Sequence, residues 1–167
     1  EWVENVTDRE GKTEYQYYPS NGRFSDGNNI IRQFLTTIGL IRYSKQTENE
    51  ELMKFARKNL RYNLRTFYRE DERVGYLYLH GKAKLGAAAL GALAIYELPD
   101  NAEFKKQLDG LTRLTYHLWN SDGSFRTFYI PSTRTGVENF YPGETLVYWA
   151  KLYMDNPTPE LKERIVR

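Results

Sequence analysis

The sequence predicts an all-α fold of helical hairpin repeats: three inner/outer helix pairs, with short β segments in the loops. Three observations predict it. A tyrosine-anchored pattern recurs, as LIRYSKQTENEEL from Leu40, LAIYELPDNAEF from Leu93 and AKLYMDNPTPEL from Ala150, with anchors at Tyr43, Tyr96 and Tyr153. A period of roughly 50 residues belongs to repeat architectures. Each recurrence joins an apolar helix to an amphipathic one through a polar turn. A helix apolar on most sides is covered on most sides, whereas one with a single apolar stripe has a face in water. The turns also carry helix-start signals.

Residues 1–27 read as a separate N-terminal segment. Val3 to Tyr18, reversing at Asp8-Arg9-Glu10-Gly11, predicts a β-hairpin, and Tyr15 to Tyr18 is strand-like. Residues 28–167 read as the helical repeat domain. Its first pair is 28–45 with 48–69. The inner helix carries Ile30, Ile31, Phe34, Leu35, Ile38, Leu40 and Ile41, and the outer one a stripe of Leu52, Phe55, Ala56, Leu60, Leu64 and Phe67. Thr47-Glu48-Asn49-Glu50 reads as a capping box between them.

Val74 to Leu79 is the next strand-like segment, leading to the second pair, 82–98 with 102–119. Leu85 to Tyr96 is apolar throughout and rich in Ala and Gly, which lets neighbouring helices approach closely. A bilayer span needs about 20 such residues, so this run predicts a buried helix and no transmembrane segment. Asp100 or Asn101 is positioned to cap the outer helix, whose stripe is Phe104, Leu108, Leu111, Leu114 and Leu118. Phe125 to Ile130 is again strand-like. The third pair is 142–154 with 159–167, with Val147, Trp149 and Leu152 inside and Thr158-Pro159 as a helix start.

Charge and composition exclude several functions. The 167 residues hold 24 Lys+Arg against 22 Asp+Glu, a net charge of +2, with no Cys and two His. That balance excludes a nucleic-acid binder held mainly by charge. Without Cys there is no disulfide, thiolate zinc site or cysteine nucleophile. His80 and His117 show no metal spacing, so no metal or other cofactor is expected. Gly86-x4-Gly91 lacks the Lys-Ser/Thr of a phosphate loop, and no Gly-x-Ser-x-Gly or Asp-rich cluster occurs. The start Glu1-Trp2-Val3 carries no leader pattern, which leaves the compartment open.

Two passages carry a family resemblance. Gly110-Leu111 through Leu118-Trp119-Asn120-Ser121-Asp122-Gly123-Ser124-Phe125 resembles an outer-helix-to-loop motif ending Gln-x-x-Asp-Gly-Ser-aromatic, with Asn120 near the place of the Gln. Asn139-Phe140-Tyr141-Pro142-Gly143-Glu144 resembles the entry to an inner helix. With the repeat, they make the chain similar to α/α toroids: six-hairpin glycosidases, related polysaccharide lyases and uronyl epimerases, and terpenoid cyclases. The missing Asp-rich cluster sets the last group apart. The resemblance implies an incomplete toroid, completed by a missing half or a second chain. It also implies a carbohydrate-active domain (hydrolase, lyase or epimerase) and an oligosaccharide or polysaccharide ligand.

In toroids the loops from outer to inner helices gather at one end; here they are residues 14–29, 70–82 and 120–142. They are rich in aromatic faces and charged hydrogen-bonding groups, which suit a sugar's C–H faces and hydroxyls. Arg matches a carboxylate bidentately and so suits an acidic sugar. The candidate sugar-binding residues are Tyr18, Arg23, Asp26, Tyr78, Arg126, Tyr129, Arg134 and Tyr141. Acid–base work points to Glu138, Glu144, Asp122 and His80. Glu144 follows Pro142, and the positive helix end is expected to keep it ionised. Glu138 and Glu144 would point to different sides of one helix. The alternative is a non-catalytic helical-repeat module that binds a glycan or a protein partner. Lys54, Arg57, Lys58, Arg61 and Arg65 form a basic stripe, read as a solvated face with partner docking as the alternative.

Overall fold

The computed structural model describes residues 2–167. They are mainly helical, with small antiparallel sheets in the loops. In order the elements are α1 (Trp2–Asn5), β1 (Tyr17–Tyr18), β2 (Arg23–Phe24), α2 (Ile30–Gln46), α3 (Glu50–Phe67), β3 (Tyr68–Glu70), β4 (Gly75–Leu79), β5 (Lys82–Lys84) and α4 (Leu85–Glu97). A 3-10 turn at Asn101–Phe104 leads into α5 (Lys105–His117), then β6 (Phe128–Ile130), α6 (Tyr141–Asp155) and α7 (Pro159–Val166).

Helix α4 is the centre of the core. Every residue from Leu85 to Ile95 is buried, because α2, α5 and α6 all pack on it. Burial all round is what its uniformly apolar sequence requires. The other two helices expected to be inner ones differ. Helix α2 leaves Leu35 and Tyr43 exposed, and α6 leaves Val147 and Met154 exposed. Each packs on α4 on one side and lacks a matching neighbour on the other among the described residues. Helices α3, α5 and α7 pack against α2, α4 and α6 respectively.

Helices α2, α4 and α6 run the same way. At their C-terminal ends Arg42 grips Glu97 bidentately, at 2.8 and 2.6 Å, and the Lys45 ammonium donates to the Glu97 carbonyl. Tyr96 donates to Asp155 there at 2.9 Å. Their N-terminal ends therefore share the opposite end of the molecule, together with the sheet. That sheet is antiparallel in the order β3-β4-β5-β6, with Tyr68 opposite Leu77, Leu79 opposite Lys82 and Lys84 opposite Phe128.

Four sequence expectations are corrected. The N-terminal hairpin is a turn rather than a pair of strands. Asp8 Oδ1 accepts the amides of Glu10, Gly11 and Lys12 at 2.9 Å, but the ladder shrinks to one bridge, Thr7 to Thr13, and Trp2–Asn5 is helical. A buried polar network replaces the ladder: Asn59 donates to Gly11 O at 2.7 Å and Gln33 to Thr13 O at 2.7 Å. The cap of α3 is Asn49, which accepts from Leu52 N, while the Thr47 hydroxyl donates back to Tyr43 O. Neither Asp100 nor Asn101 caps by its side chain; Asn101 instead donates to Ile95 O at 2.9 Å. Residues 82–84 are strand, not helix. Thr158 does cap α7, accepting from Leu161 N at 3.2 Å.

Candidate functional site

Glu144 lies in the first turn of α6, facing the start of α4. Its Oε2 is buried and has no hydrogen-bond partner. The space it occupies exists because residue 86 is glycine: a Cβ there would collide with that oxygen and stand 2.8 Å from Tyr141 Cδ1. Burial pushes the Glu144 carboxyl above its ordinary pKa, and the Lys84 charge opposes this only in part. The expected stabilisation by the helix end is thus outweighed by desolvation.

Lys84 ends β5 and stands at the N-cap of α4. A cation is disfavoured there by the helix dipole. Loss of solvent lowers its pKa, Lys82 and Arg134 lower it further, and Glu144 alone raises it. Its Nζ lies 6.0 Å from the Tyr141 ring centroid. Tyr141 is buried and meets Phe128 edge-on at 6.0 Å, and Arg134 sits 4.9 Å over the Phe128 ring. Burial raises the Tyr141 phenol, with Glu144 acting the same way. The cluster therefore holds an acid pushed toward its neutral form beside an amine pushed toward its own. Opposed shifts of this kind narrow the gap in proton affinity between the two groups.

Beside the cluster, and sharing Lys84, is a small cleft of about 90 Å³. Asn28 and Ile31 at the start of α2 form one side, and Leu79, His80 and Lys82 the other. His80 and Gly81 take positive φ, 49° and 75°, so the β4–β5 turn is tight and His80 stands at the rim.

No family model matches the sequence, and no curated protein does. Solved structures do. Over 99% of this chain the fold matches cellobiose 2-epimerase from Bacillus thermoamylovorans B4167, with TM-score 0.74 and 16% identity. A sugar epimerase from a ruminal bacterium matches over 99% of the chain, with TM-score 0.73 and 12% identity. Both are α/α toroids. The chain has the fold of a partial α/α toroid. It spans 50% and 49% of those two chains.

Within this partial toroid the residues singled out from the sequence fall in several places. Arg134, Tyr141 and Glu144 come together, and His80 lines the adjoining cleft. Tyr78 and Tyr129 do not join them. Tyr78 alternates with Leu77 and Leu79, whose side chains line the cleft, so its ring is on the reverse face of the sheet. Tyr76 links the two there, 6.5 Å from the Tyr78 ring and 5.5 Å from that of Tyr129. The Tyr129 hydroxyl donates to Asp71 Oδ2, and burial raises its pKa to about 12.

The other carboxylates are occupied in their own loops. Glu138 Oε1 accepts the Gly136 amide at 2.7 Å. Asp122 Oδ1 accepts the Ser124 amide and hydroxyl at 3.0 and 2.7 Å, which holds its pKa down. Arg126 donates to His117 O at 3.0 Å. Tyr18, Arg23 and Asp26 are exposed on or beside the β1–β2 ladder. The basic stripe is largely paired: Lys54 with Glu51, Arg57 and Arg61 with Glu103, and Arg65 with Glu10. Among the described residues no group of three or more His, Asp or Glu could hold a metal ion, and no helix is long and apolar enough to cross a membrane.

Sequence reasoning missed Lys84 and Phe128. The signal for Lys84 was available: a cation immediately before the most apolar helix of the chain, where an acid or hydroxyl is the usual choice. Phe128 read only as a strand residue.

Proposed function

We propose that the chain is a carbohydrate-active domain, part of a larger toroid, and that the Lys84–Tyr141–Glu144 cluster is its reaction centre. The three helix pairs α2/α3, α4/α5 and α6/α7 are then successive hairpins of the ring, with 2–27 strapped across the first. A second chain or further hairpins complete the wall on which Leu35 and Val147 now lie open. The observation that carries the reading is the half-buried Glu144 carboxyl, with one oxygen unbonded, beside a desolvated lysine.

Two groups of shifted pKa, one acid and one amine, suit withdrawal and return of a proton at a sugar carbon. Hydrolysis ordinarily uses two carboxylates around the glycosidic bond, and here Glu138 and Asp122 are held by their own loops. Epimerisation or lyase chemistry therefore fits better than hydrolysis, and the two solved neighbours are named as epimerases. Glu144 is assigned the proton transfer, Lys84 its complement, and Arg134 and Tyr141 the binding of the sugar, an acidic one by preference. The test is turnover of mono- and disaccharides, with and without a uronic acid, followed by exchange of the C–H proton with solvent deuterium. Glu144→Gln should lower turnover by about 10²–10⁴, and Glu138→Gln should not. Undiminished exchange in Glu144→Gln would sink the assignment. A cluster with one carboxyl rather than two also favours a second reading, a glycan-binding module; binding with no exchange in the parent chain would establish that one instead.

A further inference from the structure

The cleft beside the reaction centre has a one-signed lining. Its charged residues are Lys82 and Lys84, with His80 at the rim, and no acidic side chain lines it. Among the described residues neither lysine has an ion-pair partner, although lysines and arginines elsewhere on the surface find one, as with Lys105 on Asp109 and Lys106 on Glu70. Burial first, and after it the like charges of Lys82 and Arg134, lower the Lys84 pKa, with Glu144 opposing them. Two lysines around one partly desolvated hollow, with Glu144 acting on Lys84 alone, leave a surplus of positive charge that an anion would balance.

The rest of the lining is also suited to a ligand. Asn28 Oδ1 is already occupied, accepting from Asn29 N at 2.8 Å and Gln33 Nε2 at 3.0 Å. Its amide NH₂ is therefore left to donate. Ile31 and Leu79 add an apolar wall of the kind that covers a sugar's C–H face.

We propose that this cleft is an anion seat that fixes the acidic group of a sugar, carboxylate or phosphate, between Lys82 and Lys84, with the ring continuing toward Glu144. The inference rests on the sugar reading above and narrows its substrate class. Lys82 is the discriminating residue, because it lines the cleft without belonging to the reaction cluster. An ammonium is a point charge, so it accepts a planar carboxylate or a tetrahedral phosphate alike.

The experiment is calorimetric titration of the whole chain with four probes: methyl glucoside, methyl glucuronide, glucose 6-phosphate and inorganic phosphate. The proposal expects one or both acidic sugars to bind at least tenfold tighter than methyl glucoside. Lys82→Gln should erase that preference and leave methyl glucoside within twofold. The stronger of glucuronide and sugar phosphate identifies the anion. Phosphate binding as tightly as glucose 6-phosphate would reduce the site to an ion site and overturn the proposal. Equal affinity for neutral and acidic sugars, or a preference that survives Lys82→Gln, would overturn the anion seat while leaving the sugar reading intact. If no sugar binds, both fall. Circular dichroism of Lys82→Gln, a substitution at a half-buried position, checks that its fold is unchanged.

Discussion

Glu144 is a residue whose placement lowers stability. Its folded pKa is raised by burial, so the folded chain holds that proton more tightly than the unfolded one. The resulting stability is complete below the ordinary carboxylate range and is lost as pH rises through the raised value. Glu144→Gln should therefore melt higher than the parent at neutral pH while losing turnover, and the gap should close in acid. Thermal melts between pH 4 and pH 8 read this directly. A residue that is costly to the fold yet retained in the site is the pattern expected of a functional group. Gly86 is its counterpart. Gly86→Ala supplies a better helix former, but its methyl occupies the place of Glu144 Oε2. Turnover should fall about as far as in Glu144→Gln, with the carboxyl displaced in a structure of the variant.

At the scale of elements, the apolar run Leu85–Tyr96 and the stripes on α3 and α5 made the helices legible, because burial and exposure follow from periodicity alone. The Thr158-Pro159 start was legible for the same local reason. The sheet was not. Strands β3 and β5 are three residues each, too short to show alternation, and they form only because β4 lies between them. The division of the site was also hidden. Tyr78 and His80 are two apart in sequence, yet the tight His80-Gly81 turn and the pleat put the tyrosine ring behind the sheet and the histidine at the cleft. Arg134, Tyr141 and Glu144 could be found because they are close in sequence; Lys84 comes from another hairpin.

The N-terminal strap is held by an element-to-element contact that a hairpin reading could not foresee. Gly11 has φ 101°, and a Cβ there would stand 2.9 Å from Lys58 O, so the turn lies directly on α3. Asn59, fully buried, donates to Gly11 O and to Thr13 Oγ1 and accepts from Thr37. Asn59→Ala leaves Gly11 O without its donor, while Thr13 keeps Thr7 and Thr37 keeps Gln33 O, and should cost about 2 kcal/mol. Trypsin should then cut after Arg9 and Lys12 faster than in the parent, with the helices keeping their far-ultraviolet signal.

At the scale of the whole molecule, a ring wall of helices is covered only where its neighbours are present. Helix α4 has them and is buried; α2 and α6 show Leu35, Tyr43, Val147 and Met154 to solvent. These faces predict concentration-dependent association of the 167-residue chain. Sedimentation should show mass rising with concentration, and the pair Leu35→Glu with Val147→Glu should suppress it. A parent chain that stays monomeric at every concentration would remove the argument for open walls.

The pairing of the outer stripe also bears on how fast a ligand arrives. Beyond a Debye length of about 8 Å in physiological salt, Lys54 on Glu51 and Arg65 on Glu10 look nearly neutral, whereas Lys82 and Lys84 do not. The field an approaching anion feels is thus concentrated at one end of the molecule. Capture of an acidic sugar should slow as ionic strength rises while its departure rate stays nearly constant. Stopped-flow measurements across salt concentrations separate the two, and Lys82→Gln should flatten the dependence where Lys54→Gln leaves it unaltered.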